Sequence, residues 1–205
     1  MYKLVMLKSN NPTHRDAALY CKVLASDQVN QYLTENGCEQ VLARRSGKVH
    51  ARPCQKDELI TTVSMTTIAD TEFIVSELVS VAFAPKGNDN NTKADMVVQN
   101  TSSPYQESYV VRAADFVNNY VSGCQCTSCH CAAKCYYPID QERIYYRILE
   151  YILIEQRNGY ETVGAIGSYI TYDEQSGLWL AIDDRTFEQC YTKQESLVLT
   201  KKSNE

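Results

Sequence analysis

Residues 138–159, PIDQERIYYRILEYILIEQRNG, decide whether this chain is a mixed helix-and-sheet protein or a β protein. Ile144, Tyr145, Ile148, Leu149 and Ile152 recur at near-helical spacing, which would give a helix one apolar face. Asp140 stands near the start of such a helix and Gly159 just past its end. The pattern predicts a helix over 141–158. The β-branched and aromatic content also fits a strand over part of the stretch, because such side chains pack well on a pleated surface.

Working outward, MYKLVMLKSNNP at the start reads as a first strand. Asn10 or Asn11 as cap, Pro12 in the first turn, and Ala17, Leu19, Tyr20, Val23 and Leu24 at near-helical spacing then predict a helix. Ser26 restarts a helix that uses Val29, Tyr32 and Leu33 and stops at Gly37. EQVLARRSGKVHARP, residues 39–53, predicts a β-hairpin turning at Ser46-Gly47. Residues 58–85 are dense in Val, Ile, Thr and Phe and predict strands, and KGNDNNTKAD after Pro85 reads as a loop.

Strand signals resume at 96–98 and 108–111, and a short helix is expected over 113–121. Residues 163–192 predict a strand, a turn at Gly177, a return strand starting at Trp179, and a short helix capped by Asp183 or Asp184. ESLVLT, residues 195–200, would add an edge strand. The fold class expected from these signals is α+β: a mixed or antiparallel sheet with flanking helices and a Cys-rich, metal-tied loop. Residues 1–205 form a single domain in this reading. Two related strand-turn-helix units, at about 96–121 and 161–192, can be drawn inside it, with a Cys-rich insertion at 123–135. Both units begin a segment with Ser-Tyr, at 108 and 168, and both end on Phe and Tyr four apart; Asp115 or Asp184 can begin the helix.

The chemistry concentrates in GCQCTSCHCAAKC, residues 123–135, which holds five of nine cysteines and one of three histidines. Cys126 and Cys129 have the C-x-x-C spacing that lets two thiolates of a tight turn face one tetrahedral ion. Cys131 and Cys135 can face the same ion if Ala132 to Lys134 begin a helical turn. Those four form the expected Cys₄ set, with Cys124 and His130 as substitutes. Zinc is the expected ion, since it accepts thiolate and imidazole and tolerates irregular loops; an iron–sulfur cluster, copper(I), a disulfide-linked loop and free thiols are the alternatives. No catalytic and no cofactor-binding residues are assigned. His14 and His50 stand outside any motif, and Cys21, Cys38, Cys54 and Cys190 are isolated, with Cys21 and Cys190 expected to be half-buried as small apolar residues. Phosphate-binding glycine loops, nucleophile elbows and H-E-x-x-H are missing from the sequence.

A net charge of −5 supplies no positive field for a phosphate backbone, so nucleic acid is not an expected partner. Arg44-Arg45-Ser46-Gly47-Lys48 and Lys201-Lys202 read as a turn and a solvated tail. The N-terminus lacks a signal-peptide pattern and no window is apolar enough to span a bilayer, so a cytoplasmic protein without a membrane partner is expected, and reduced thiols with it. Fifteen tyrosines suit half-buried sheets and contact surfaces.

In the last part of the chain, Gly167-Ser168-Tyr169, Trp179 and the Phe187-to-Tyr191 spacing resemble a small family of phage and bacterial proteins named for a Pro-Gly-Asp-Tyr-Gly motif. Ile166, Ser168 and Ile170 replace the motif's proline, aspartate and last glycine. The resemblance implies a phage-related source and carries over no catalytic residue. The function expected is a non-enzymatic binding protein, a phage or viral accessory factor that engages and modulates a host protein and carries a structural zinc site. The competing expectation is an enzyme or a nucleotide-like small-ligand binder, with a pocket between the two β-rich units at Tyr109, Tyr169 and Trp179.

Overall fold

The structure is a computed structural model that describes residues 1–81, 94–123, 134–139, 141–174 and 176–194. Among the described residues 54% are in strands and 12% in three short helices, and three sheets make a curled half-barrel. The α+β expectation is therefore corrected to a mostly β protein.

In chain order the elements are β1 (Tyr2–Ser9), β2 (Ala17–Ala25), α1 (Val29–Glu35), β3 (Glu39–Arg45), β4 (Val49–Pro53), β5 (Leu59–Ile68), β6 (Thr71–Val81), β7 (Met96–Asn100) and β8 (Ser108–Val111). They continue as α2 (Ala113–Asn119), β9 (Tyr120–Ser122), β10 (Lys134–Pro138), β11 (Arg143–Arg147), β12 (Ile152–Glu155), β13 (Glu161–Gly164), β14 (Tyr169–Asp173), β15 (Leu178–Ile182), α3 (Asp184–Cys190) and β16 (Tyr191–Lys193). The first five-stranded sheet has the order β8-β7-β4-β10-β9, and the second β15-β14-β11-β3-β16. A six-stranded bridging sheet runs β13-β12-β2-β1-β6-β5. Its β12–β2 pair is parallel.

The helix expected over 141–158 is two strands, β11 and β12, in different sheets. Ile152, Leu153 and Ile154 are each 0% exposed. Three consecutive buried side chains suit a strand covered on both faces, whereas a helix would turn one of them outward. The first expected helix is β2: Leu19 and Cys21 point inward while Tyr20 points out, the period of a strand. Ser46-Gly47 is no hairpin turn, since β3 and β4 belong to different sheets. Gly47 is needed there for closeness, because a Cβ would sit 3.0 Å from the Cys190 backbone.

Other local signals correspond to elements. β5 and β6 turn back at Ala69-Asp70, with φ of 46° and 62°, the positive values a two-residue hairpin turn needs. α1 ends beside Gly37 at φ +59°. Asp183 caps α3 by accepting from the Arg185 and Thr186 N–H groups.

Each five-stranded sheet carries its helix on one face, pinned by a phenylalanine. Phe187 of α3 is 0% exposed and stacks on Tyr169 at 3.8 Å and Tyr191 at 4.9 Å, while Tyr145 meets it edge-on at 5.1 Å. Phe116 of α2 stacks on Tyr120 at 4.8 Å and meets Tyr136 edge-on at 4.9 Å. Aromatic contacts of this kind add to the burial itself. Truncation of Phe187 to alanine is expected to cost about 3–5 kcal/mol, measured by urea unfolding, because the three surrounding rings cannot collapse into the space.

Candidate functional site

β1 is apolar on both faces. Val5 and Leu7 pack inward against Leu19, Cys21 and Phe73, while Tyr2, Leu4 and Met6 point outward with exposures of 60%, 49% and 61%. Tyr20 of β2 lies directly across from Leu4 and is 71% exposed. These four side chains form a contiguous apolar strip on the open face of the bridging sheet. Exposed Lys8 continues the same row of β1 at one end.

The other end of the strip meets a cluster of polar groups. Lys22 pairs with Tyr2 across the strands and donates to Glu150 Oε1 at 3.1 Å; the Tyr2 hydroxyl donates to Glu150 Oε2 at 3.1 Å. Lys22 Nζ also stands 4.7 Å from the centre of the Tyr32 ring. Lys22, Leu24, Gln28, Gln31, Tyr32 and Glu35 line a shallow cleft of about 450 Å³, counting its solvent-open part. Tyr32 is 4% exposed, and its hydroxyl, which lies in the field of Glu150, meets no hydrogen-bond geometry among the described residues. Burial first, then the Glu150 charge, pushes this phenol up, and the same two causes push up the Cys38 thiol.

The sequence missed this site because Glu150 falls on the polar side of a helix that does not form. The signal that could have found it is the apolar character of both alternating rows of the first strand, Tyr2, Leu4 and Met6 on one side and Val5 and Leu7 on the other.

Of the expected metal ligands, Cys126, Cys129 and Cys131, and the substitutes Cys124 and His130, lie outside the described residues. Cys135 is a free cysteine, 3% exposed, on β10 opposite His50 of β4. Lys134 already belongs to that strand, so the helical turn expected to begin over Ala132 to Lys134 does not include Lys134, and Ala132 and Ala133 lie outside the described residues. The ladder of β10 with β9 pairs Tyr136 with Ser122, and Gly123 N–H donates to the Cys135 carbonyl, so the two ends of the Cys-rich segment are held together. Among the described residues no three His, Cys, Asp or Glu side chains gather around a common point.

Tyr109, Tyr169 and Trp179 do not share a pocket. Tyr109 packs beside the Phe116 cluster and accepts from Arg45 Nη2 at 2.7 Å, while Tyr169 stacks on Phe187. Trp179 belongs to a third cluster, with its indole N–H donating to the Ser26 carbonyl. Cys21 and Cys190 are 0% exposed, deeper than expected, and Cys38 and Cys54 are 7% and 6% exposed. Burial pushes the thiols of Cys21, Cys54 and Cys190 up, away from the reactive thiolate. Asp183, besides capping α3, accepts from the Tyr105 hydroxyl at 3.0 Å and the Thr67 N–H at 3.0 Å, so its carboxylate is consumed in tying three segments together.

Compared with protein-family models, with curated proteins and with solved structures, the chain finds no match. No helix among the described residues is long and apolar enough to cross a membrane.

Partial burial opposes ionisation of Glu150, but hydrogen bonds from Lys22 and Tyr2 outweigh it and hold the carboxyl below its usual range. The unfolded chain therefore takes up this proton first as pH falls. Glu150 gives its full stabilisation above about pH 5 and loses it as pH drops through the folded value. Its side chain is 31% exposed, so the contribution is screened. Compared with Glu150→Gln, the wild type is expected to keep an advantage of about 0.5–1 kcal/mol in urea unfolding at neutral pH that shrinks toward about pH 3.

Proposed function

We propose that this chain is a non-enzymatic binding protein that engages a partner protein through the Tyr2–Leu4–Met6–Tyr20 strip. The supporting observation is the strip itself: Tyr2, Leu4 and Met6 alternate along one face of β1 with Tyr20 opposite Leu4, each about half exposed or more. Leaving such a patch in water forfeits the gain from burial, and aromatic residues and methionine are enriched at protein interfaces. Lys8 at one end and the Lys22–Glu150 pair at the other supply a polar rim that fixes orientation. The likeness of residues 167–191 to a phage and bacterial family directs the search for the partner to a bacterial host.

Leu4→Ser/Tyr20→Ser tests the reading, since both side chains are exposed and their loss leaves the core intact. Proteins cross-linked to the wild type in a bacterial lysate are expected to fall at least tenfold with the double variant, while the melting temperature stays within about 2 °C. A partner captured equally by both forms, or by neither, overturns the strip as the binding surface.

A structural zinc held by Cys126, Cys129, Cys131 and Cys135 belongs to the same proposal. The donor chemistry supports it, as does the β9–β10 ladder that draws the segment's ends together. Such an ion would stiffen the connection and leave no open position for catalysis. Elemental analysis of protein purified without added metal is expected to find one zinc per chain, lost in Cys126→Ser/Cys129→Ser. Metal-free wild-type protein contradicts it.

A further inference from the structure

The two five-stranded sheets have the same plan. The chain runs β3, β4, hairpin β5–β6, hairpin β7–β8, α2, β9, and then again β10, β11, hairpin β12–β13, hairpin β14–β15, α3, β16. β1, β2 and α1 belong to neither series, and β1 and β2 bridge the two hairpins β5–β6 and β12–β13. In each series the second hairpin lies on one edge of its sheet, and the helix carries the chain to the opposite edge strand. The first strand of each series is missing from its own sheet. β3 inserts between β11 and β16, and β10 inserts between β4 and β9. Each copy thus completes the other.

The equivalence holds residue by residue. α2 and α3 have equal length, their N-caps Arg112 and Asp183 have φ/ψ of −57°/143° and −56°/145°, and their C-caps Tyr120 and Tyr191 have −137°/137° and −126°/139°. If Phe116 is matched to Phe187 and the match is carried across the four strand registers of each sheet, it arrives at Tyr120 matched to Tyr191, the same match the helices give. Backbone bonds repeat as well. Ser46 N–H donates to the Cys190 carbonyl and Ile139 N–H to that of Asn119; Cys54 N–H donates to the Asp95 carbonyl and Ile148 N–H to that of Ser168. The Ser-Tyr doublets do not repeat, since Ser108-Tyr109 lies on the second strand of its hairpin and Tyr169 on the first of its own.

One pair of substitutions compensates across the copies. The ring that meets the helix phenylalanine edge-on comes from the exchanged strand in the first sheet, as Tyr136, opposite Val49 and diagonal to Ala51. In the second sheet it comes from the middle strand, as Tyr145, opposite Val41 and diagonal to Ala43 of the exchanged strand. By the same registers Tyr136 matches Ala43 and Ala51 matches Tyr145. Large and small have traded places, and each helix keeps one edge-on tyrosine.

We propose that residues 39–122 and 134–193 are two copies of one unit built to bind a second copy of itself by handing over its first strand, and that this chain carries both partners. The interaction surface is the slot between the middle strand and the last strand of each sheet, and its occupant is the first strand of the like unit. Strand exchange between identical units is a low-cost route to a closed pair. The exchanged strands hold the halves together.

Thermal melting of paired variants tests the equivalence. Tyr145→Ala is expected to lower the melting temperature, and Ala43→Tyr added to it, which copies the arrangement of the first sheet, to return at least half of the loss. Tyr136→Ala with Ala51→Tyr is the mirror test in the first sheet. Recovery in either sheet supports the proposal; double variants that melt at or below their Tyr→Ala parents in both sheets overturn it. For the pairing itself, a protease site is introduced within 124–133 of the full chain, and the cleaved protein is fractionated with a chelator present, so that no metal ion can bridge the fragments. The two fragments are expected to co-elute with the strand signal intact, and their separation would refute self-pairing.

Discussion

The backbone ladders of the two traded strands hold this protein together. β3 hydrogen-bonds to β11 on one side and β16 on the other, and β10 to β4 and β9, so neither five-stranded sheet has a continuous centre without a strand delivered from elsewhere in the chain. A sheet interrupted there would expose two rows of unpaired backbone groups and open the face on which its helix sits. The aromatic clusters depend on the ladders in turn. Ala43 lies within the Phe187 cluster, and Tyr136 supports Phe116 from β10. Packing and hydrogen bonding thus carry the same constraint, and the loss of one traded strand removes both from the sheet that receives it.

The bridging sheet adds a second coupling of a different kind. β2 pairs in parallel with β12, and β1 pairs with β6, so the N-terminal strands join a hairpin from each series. Parallel pairing is usually covered on both faces, and Ile152, Leu153 and Ile154 are. The outward face of β1 and β2 has no such cover at Tyr2, Leu4, Met6 and Tyr20. The strip proposed for binding lies on the segment that belongs to neither copy, which separates the surface from the frame that supports it.

Local signals were right at some turns and caps, wrong at Ser46-Gly47 and at the Asn10 or Asn11 cap, and misleading about period. Gly37, Gly177 and Asp183 could be placed from sequence because their demands are local: a positive φ, or an oxygen facing free helix N–H groups. Residues 143–155 and 17–25 could not, because apolar side chains stand on exposed as well as buried positions there, with Tyr20 71% and Ile144 48% exposed and Ile152 to Ile154 buried in succession, so the alternation of a strand is blurred and helical spacings arise by chance. Ser46-Gly47 looked like a hairpin turn, and only the tertiary structure shows the two strands parting into different sheets. The helix phenylalanine and the tyrosine four residues later survived in both series, while the edge-on ring moved between strands, so the likeness of the halves is almost invisible in sequence. Of the candidate site, Tyr2 was legible as part of the first strand, whereas Tyr20 was read onto the apolar face of a helix that is β2. Glu150 was hidden by the helical reading of its segment.

Amide hydrogen exchange, followed residue by residue under native conditions, measures the coupling of the two sheets directly. The account predicts that the amides of Leu42 and Ala43 in β3 and those of Tyr136 and Tyr137 in β10 exchange through one opening, with the same free energy and the same response to added urea. Protection that persists in one five-stranded sheet while the other exchanges freely would contradict it.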